Sequence, residues 1–489
     1  MYDLSLSPSL TFDDAPGLEI GEWEVLGDAR VETRFRFRTG ITSVAPWLPL
    51  SGSSRSWPVR LMNGGLFNSC VPSADIASRT KIYGVAYEAR GTTMAVDIDV
   101  TPTQERQDPV GISEAPDAET AAREAVLGAL AGRVPTEHDL VVLFVTADYD
   151  APTLYQAAVA VASPAAVVGC SGTDGLTHHG HVAAGCVAVV LPGDKRSFGV
   201  CHVARDEGDI AGSARRATEI ARERAGEVHP HSVVLLLTDG LTPDQREAAR
   251  GAYEVTGALI PFVGGAAGDS LQWERTYTFG DGAVRENGIL AVWINSQAPI
   301  AVSVGHGWRP AGKPMLVTRT GGTVVHELDG KPAVDAYLAE LSRELKADDP
   351  EFFLKVLENP VGIPNARGRY DVRQLHAYLP EGGGLNFNTG ISEHSILQVM
   401  NCDDESLLEG ARDAAESASA QLGSAARLAL VFSCGSRVPL LADRVADEAS
   451  AISAGLAGAA VCGFYTYGEF ARVNGSTGVH NSSVAILAL

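Results

Sequence analysis

The sequence predicts an α/β protein of two related lobes, each a mixed sheet built from repeated strand-helix-strand-hairpin units with flanking helices. Three observations support this prediction. The run Leu140–Thr146 is apolar throughout, which is typical of a strand buried on both faces of a sheet. Residues 118–132 show the periodicity of an amphipathic helix. Such runs and helical stretches alternate from about residue 110 onward, as a sheet covered by helices requires.

Three segments repeat one pattern of strand, polar turn, helix, strand and a glycine-rich elbow that ends at Asp174, Asp269 or Glu469. A right-handed crossover makes the two strands of a segment parallel and brings their carboxyl ends to one edge. Glycine at that edge allows a ligand to approach the backbone, so Gly169 and Gly264 are candidate ligand contacts. The alternatives are that the glycines only permit a turn and that the aspartates cap turns or helices. Hairpins are predicted after the three elbows, at 181–191, 276–294 and 473–489.

The first part of the chain differs from the rest. Residues 1–93 hold three of the six tryptophans and one clearly alternating run, at 29–38, which indicates a strand. Helical patterns are few there. We therefore expect residues 1–107 to form an N-terminal extension or a small β-rich segment, followed by lobes at 108–300 and 301–489.

Charge and cysteine content restrict the class of protein. The formal net charge is −22, with 38 Lys and Arg against 60 Asp and Glu. So acidic a surface repels phosphate backbones and anionic lipids, which argues against nucleic acid and membrane partners. The seven cysteines are scattered, as is typical of reduced thiols. Neither a signal peptide nor an apolar span of about 20 residues is evident, so we expect a cytoplasmic protein without membrane insertion.

Four motifs at strand ends carry a resemblance to a known family. Val-Val-Gly-Cys-Ser-Gly-Thr-Asp-Gly-Leu occupies 167–176, and Phe-Val-Gly-Gly-Ala-Ala-Gly-Asp occupies 262–269. Leu-Val-Phe-Ser-Cys-Gly-Ser-Arg occupies 430–437, and Cys-Gly-Phe-Tyr-Thr-Tyr-Gly-Glu occupies 462–469. Over about 108–489 these motifs resemble both the N-terminal and the C-terminal parts of the FIST (F-box and intracellular signal transduction) family.

The resemblance implies a sensory module that binds a small polar ligand, an amino acid among the candidates. No kinase, cyclase or methyl-acceptor signature is evident, so we expect the signal to pass to a separate protein. A branch of the family is associated with haem-based nitric oxide sensing. A haem gas sensor is therefore one alternative function, although no cofactor is otherwise expected.

An amino-acid pocket needs opposite charges and an apolar lining. Arg437 is a candidate to hold a carboxylate, and Glu469 is a candidate to accept hydrogen bonds from an ammonium group. Tyr465 and Tyr467 alternate along the same elbow, so they are candidates to line the pocket. The alternative is that Arg437 and Glu469 pair with each other. We expect the pocket to lie between the two lobes.

Cys434 offers a second alternative, a cysteine-dependent enzyme. It follows a predicted strand with Arg437 three residues on, an arrangement that favours a thiolate. A catalytic cysteine also needs a base, for which His480 and His394 are candidates. A buried structural thiol is the favoured interpretation, with Cys434 lining the ligand pocket rather than reacting.

Three histidines, His178, His179 and His181, lie close together before a strand. Imidazoles of this kind bind transition metals or haem iron, and His181 is the candidate for an axial haem ligand. No cysteine or carboxylate stands at metal-like spacing beside them. A solvated loop is therefore the favoured interpretation, and no metal is predicted.

Overall fold

The computed structural model describes residues 108–489 apart from 227, 342–355, 366–367, 380 and 474–477, together with the strand backbones among residues 1–107. The chain divides into two compact units, Met1–Gln107 and Asp108–Leu489. The side chains of the first unit, for which the sequence predicts an extension or a small β-rich segment, lie outside the described residues. Its strands are Asp3–Ser5, Leu18–Glu19, Trp23–Leu26, Arg30–Thr33, Phe35–Phe37, Thr42–Ser43, Arg55–Arg60, Leu66–Val71, Thr80–Ala89 and Thr92–Thr101.

The second unit confirms the predicted mixed α/β fold, and it contains three copies of one repeat: strand, helix, strand, helix, strand, hairpin, strand. Copy one has strands Val110–Ser113, Leu140–Thr146, Ala166–Gly172, Gly175–Thr177, Gly180–Val182 and Cys186–Leu191, and helices Ala118–Leu130 and Ala151–Ala162. Copy two has strands Arg196–Ala204, His231–Thr238, Phe262–Ala266, Thr278–Gly280, Ala283–Arg285 and Gly288–Ser296, and helices Ile210–Arg224 and Gln245–Thr256. Copy three has strands Ala301–Gly305, Leu428–Cys434, Ala460–Thr466, Glu469–Ala471, Val479–His480 and Val484–Ala488, and helices Asp404–Leu422, Arg437–Leu441, Ala442–Arg444 (3-10) and Val445–Gly455.

Each copy builds a sheet whose two faces are both buried. In Leu140–Thr146, Leu140 and Phe144 point into a core shared by all three sheets. Val141 and Leu143 point instead to a separate core under the helices of copy one. This alternation explains why the central strands are apolar at every position. Among the described helices, none has both the length and the apolar character needed to cross a bilayer.

We call the sheets built by copies one, two and three the first, second and third sheets. Each sheet ends in a hairpin from another copy: the first sheet in that of copy two, the second in that of copy three, and the third in that of copy one. The first of the two short strands in each hairpin makes the connection, and it pairs antiparallel with a parallel strand of the neighbouring sheet. The FIST-like N-terminal and C-terminal halves are therefore joined by backbone hydrogen bonds in both directions. The pairs are Thr278–Gly280 with Ala166–Gly172, Glu469–Ala471 with Phe262–Ala266, and Gly175–Thr177 with Ala460–Thr466.

The hairpins predicted at 181–191, 276–294 and 473–489 are only partly correct. The segment 276–294 does contain a hairpin, Thr278–Gly280 paired with Ala283–Arg285, whereas the other two segments begin after the first strand of theirs. Each predicted segment ends in a long strand that pairs within the sheet of its own copy rather than with the short strand before it. In copy one, Cys186–Leu191 returns to pair antiparallel with Leu140–Thr146. The returning strand is buried at every position, so it needs a place inside a sheet rather than one arm of an exposed hairpin.

Copy three is interrupted between its first strand and its first long helix by an inserted domain, residues 309–401. This domain has its own apolar core, in which Val317, Tyr337 and Leu385 are fully buried. It contacts the elbows of the repeats, because Ser482 Oγ donates to Gln374 Oε1 at 2.6 Å. Its elements are strands Arg309–Pro310, Met315–Gly321, Val324–Leu328, Lys331–Pro332, Val361–Pro364, Tyr370–Arg373, Leu375–Leu379, Gly384–Phe387 and Ile396–Asn401, and helix Ala333–Glu340.

Candidate functional site

The glycine-rich elbows of the three copies meet around Thr173. A Cβ added to Gly268 would lie 2.9 Å from the Thr173 nitrogen, and one added to Gly435 would lie 3.0 Å from Thr173 Oγ1. The Thr173 nitrogen also donates to the carbonyl of Tyr465 at 2.9 Å. The elbows therefore touch directly, and their glycines are needed for this close approach.

Beside this junction, aromatic and polar side chains gather at the carboxyl edge of the second sheet. The Tyr467 hydroxyl donates to Asp269 Oδ1, and the Trp273 ring stacks on Tyr467 with centroids 4.0 Å apart. His376, from the inserted domain, packs against Trp273 edge-on with centroids 4.8 Å apart. Asn481 lies near the same elbow, because its Nδ2 would be 3.8 Å from a Cβ on Gly468. We call Asp269, Trp273, His376, Tyr467 and Asn481 the elbow site.

The loop that carries Trp273 has an unusual backbone. Ser270, Leu271 and Trp273 have φ values of 56°, 62° and 58°, a region that residues with side chains rarely adopt. Asp269 holds this loop, since its carboxylate accepts hydrogen bonds from the backbone nitrogens of Trp273, Glu274 and Arg275. Strain maintained by specific contacts is characteristic of binding and catalytic sites.

Several buried polar atoms around the elbow site have no hydrogen-bond partner among the described residues. They include a donor, Trp273 Nε1, and an acceptor, Asn481 Oδ1. A buried polar atom without a partner costs about 1–3 kcal/mol, so such atoms are rare unless something else satisfies them. A bound polar molecule would do so. His376 Nδ1, on the ring that packs against Trp273, is another such atom.

A buried polar network around Asp239 lies in the loop that follows the strand His231–Thr238. Thr276 Oγ1 donates to Asp239 Oδ1 at 2.6 Å, and an Arg205 nitrogen lies 3.2 Å from the other Asp239 oxygen. Burial raises the pKa of Asp239 above its usual value. Gln245 Nε2 donates to the Asp239 carbonyl, which ties the loop after His231–Thr238 to the next helix. The network holds the ends of the parallel strands where open α/β sheets bind ligands.

Arg437 does not face a ligand, contrary to the sequence-based expectation. Its side chain is fully buried and bonds to Glu448 at 2.5 Å and to the carbonyls of His306 and Leu407. The predicted alternative, a pair with Glu469, is also wrong. Glu448 lies on the helix Val445–Gly455, and Ser433 donates to it from the face of the strand Leu428–Cys434 that this helix covers. Glu469 instead bonds to Thr466 and Ser483.

Glu469 and Cys434 lie together on the inner side of the third sheet. One Glu469 oxygen accepts from Thr466 Oγ1 at 2.7 Å and the other accepts from Ser483. Burial raises the pKa of Glu469 to about 7, and burial with the nearby Glu469 charge raises the pKa of Cys434 to about 12. His480 bonds to the Ala471 carbonyl. A thiol held protonated in this way does not favour the cysteine-dependent enzyme.

Gly169 and Gly264 are not ligand contacts in this structure, which corrects the sequence interpretation. Each lies within a parallel strand, and a Cβ there would overlap the backbone carbonyl of a residue in the adjacent strand, Leu143 or Leu236. Gly463 occupies the same position in copy three, against Val431. These glycines therefore serve strand packing.

Asp174 and Tyr465 lie near His181 rather than in the elbow site. His181 Nε2 is 2.6 Å from Asp174 Oδ2, and the His181 ring packs edge-on against Tyr465 with centroids 5.9 Å apart. The nitrogen that would bind a haem iron is thus already occupied by a carboxylate. His181 does not fit the role of axial ligand in this arrangement.

Of the nine residues nominated from the sequence, the structure brings Tyr467 and Asp269 together in the elbow site. Sequence reasoning missed Trp273, although it follows the glycine-rich motif by four residues, and it did not nominate Asn481 as a ligand contact. His376 gave no sequence signal, because it comes from the inserted domain.

Comparisons with known proteins agree with the FIST resemblance of the four strand-end motifs. Residues 139–331 match the FIST N domain and residues 333–472 match the FIST C domain. The uncharacterized protein Rv0628c of Mycobacterium tuberculosis is 27% identical over 393 residues, which cover 77% of this chain and 98% of that protein. The uncharacterized proteins Mb0898c of Mycobacterium bovis (25% over 229 residues; 46% of this chain, 59% of that protein) and MJ1623 of Methanocaldococcus jannaschii (30% over 158 residues; 30% of each) are also similar. FIST domains are sensory domains of signal transduction, and this chain belongs to the FIST family.

Proposed function

We propose that this protein is a cytoplasmic sensor that binds a small polar metabolite at the elbow site and signals to a separate protein. The observation that carries the proposal is the group of buried, unpartnered polar atoms around Trp273 and Asn481. Trp273 stacks on Tyr467 and His376 packs against Trp273 at the carboxyl edge of a parallel pair of strands, where binding crevices form in α/β sheets.

The side chains define the chemistry of the ligand. Trp273, Tyr467 and His376 offer ring faces and edges, which suit a short apolar or planar group. The indole N–H of Trp273 is a donor and the amide oxygen of Asn481 is an acceptor. A molecule with both donor and acceptor groups on a small apolar frame satisfies them, and amino acids are the first class to examine.

Ligand binding at this place would couple two parts of the protein. His376 belongs to the inserted domain, whereas Trp273 and Tyr467 belong to the elbows of copies two and three. A ligand that contacts both parts favours the arrangement in which they are close, by its differential affinity for that arrangement. We propose that a partner protein recognises this change.

A thermal-shift screen of the full chain against amino acids and related polar metabolites tests the proposal. At about 100 times Kd a ligand adds roughly 2.7 kcal/mol of stability, which raises Tm by a few degrees. Trp273→Phe removes the indole donor and keeps an aromatic ring, so it should weaken binding by about tenfold. Trp293→Phe is the matched control, because its Nε1 bonds to Asn295 in the second sheet. The proposal is wrong if Trp273→Phe binds as tightly as Trp293→Phe.

A further inference from the structure

We propose that Asp108, His178 and His179 form a site for a divalent transition-metal ion such as Zn²⁺. Asp108 Oδ2 lies 2.8 Å from His178 Nε2 and 2.6 Å from His179 Nε2. The three ligand atoms all lie within 4.8 Å of one another. The sequence showed the histidines but not the carboxylate, because Asp108 precedes them by some seventy residues.

The atoms that do not face the centre of the group are fixed by the protein. Asp108 Oδ1 accepts a hydrogen bond from the backbone nitrogen of Val110 at 3.0 Å, so Oδ2 is directed toward the imidazoles. His178 Nδ1 lies against the backbone of Val461, 3.2 Å from its nitrogen and 3.3 Å from its carbonyl oxygen, so the ring is held with Nε2 directed toward Asp108. Outer contacts of this type orient metal ligands in known sites.

The ligand set selects the class of ion. Two imidazole nitrogens and one carboxylate oxygen suit Zn²⁺ and neighbouring first-row metals, whereas Ca²⁺ and Mg²⁺ prefer sites made of oxygen. Three protein ligands leave further coordination positions to water. His178 is largely buried and His179 is more than half exposed, so an ion can reach the site from solvent.

A metal ion at this site would stabilise the position of the exchanged copy-one hairpin. His178 and His179 form the tip of the copy-one hairpin, which pairs with the third sheet. Asp108 lies two residues before Val110–Ser113, the edge strand of the first sheet. One ion would thus tie the hairpin to the edge strand, linking the first and third sheets in addition to their hydrogen bonds. The site is separate from the elbow site, and either proposal can fail alone.

Titration of the EDTA-treated full chain with Co²⁺, followed by its visible d–d absorption, tests the site, and Zn²⁺ competition measures its affinity. We expect one Co²⁺ per chain and a rise in Tm with Zn²⁺. Asp108→Asn and His179→Gln should each weaken binding by at least about tenfold, while their metal-free Tm stays near that of the parent. His138→Gln is the control, since His138 is an exposed histidine next to Glu137. Absence of binding to the parent, or equal binding to His138→Gln and Asp108→Asn, would overturn the proposal.

Discussion

At the residue scale, the position of each charged group follows from strand geometry. Ser433 and Cys434 are neighbours, yet Ser433 bonds to Glu448 and Cys434 lies beside Glu469. Their side chains point to opposite faces of the strand, so the carboxylates of Glu448 and Glu469 lie on opposite faces as well. The sequence identified Arg437 and Glu469 as charged residues near strand ends and nominated both as ligand contacts. It could not identify Glu448 as the partner, because helix register decides that contact.

The buried pair Arg437–Glu448 gives a first prediction. Arg437→Met leaves the Glu448 carboxylate buried without its cationic partner, so it should reduce the free energy of unfolding by about 3–5 kcal/mol. The double variant Arg437→Met/Glu448→Gln should recover part of this loss. Urea denaturation measures both. A cost below about 1 kcal/mol, with loss of ligand binding, would instead restore Arg437 as a ligand contact.

Glu469 gives a prediction about pH. Below pH 4.5 its carboxyl is protonated in the folded and the unfolded states, and the folded state keeps the proton until the pKa of about 7. The unfolded state loses its proton first, so this group makes stability fall as pH rises from about 4.5 to about 7, by roughly 3 kcal/mol. Glu469→Gln should remove that slope.

Denaturation curves at pH 5 and pH 7.5 check the slope. Glu409→Gln is the control, because Glu409 is a surface residue of the helix Asp404–Leu422. The same pH dependence in Glu469→Gln and Glu409→Gln would show that Glu469 ionises normally.

At the scale of secondary-structure elements, periodicity predicted the helices and the central strands well. The apolar run Leu140–Thr146 is a strand with both faces buried, and the helical stretch after residue 118 forms Ala118–Leu130. The role of the strand glycines was not predictable in the same way. A glycine near a strand end can permit a ligand to approach, or it can make room for an adjacent strand. Gly169 and Gly264 do the second, and only the register of the strands distinguishes the two roles.

Gly264→Ala therefore should destabilise the protein rather than weaken ligand binding. The added methyl would overlap the Leu236 carbonyl of the paired strand, so at least about 1–3 kcal/mol should be lost. Gly208→Ala is the matched control, since the nearest atom to its Cβ would be 3.5 Å away. Chemical denaturation separates the two variants. Equal stability would mean that the strands are not packed as described.

At the scale of the whole molecule, the repeat was visible in the sequence but the exchange of hairpins was not. Patterns such as Val233 to Gly240 repeat locally, whereas the pairing of Glu469–Ala471 with Phe262–Ala266 joins residues two hundred positions apart. The inserted domain also escaped prediction, although it supplies His376. The elbow site is assembled from three such distant segments, which explains why sequence reasoning found only part of it.

The closed cycle of hairpins predicts that residues 108–489 unfold as one cooperative unit. A fragment of residues 108–300 lacks the hairpin that completes the second sheet and the third sheet that receives Gly175–Thr177. It should therefore be largely unfolded, while the 108–489 chain gives coincident transitions by circular dichroism and tryptophan fluorescence. A stable, cooperatively folding 108–300 fragment would contradict this.

The most direct measurement is the location of a bound metabolite in a crystal structure of the protein with a compound that stabilises it. We expect ligand density within hydrogen-bond distance of Trp273 Nε1 and Asn481 Oδ1, between the elbows and the inserted domain. Density elsewhere, for example in the surface groove beside Glu405 and Arg444, with the elbow site filled by water alone, would contradict it.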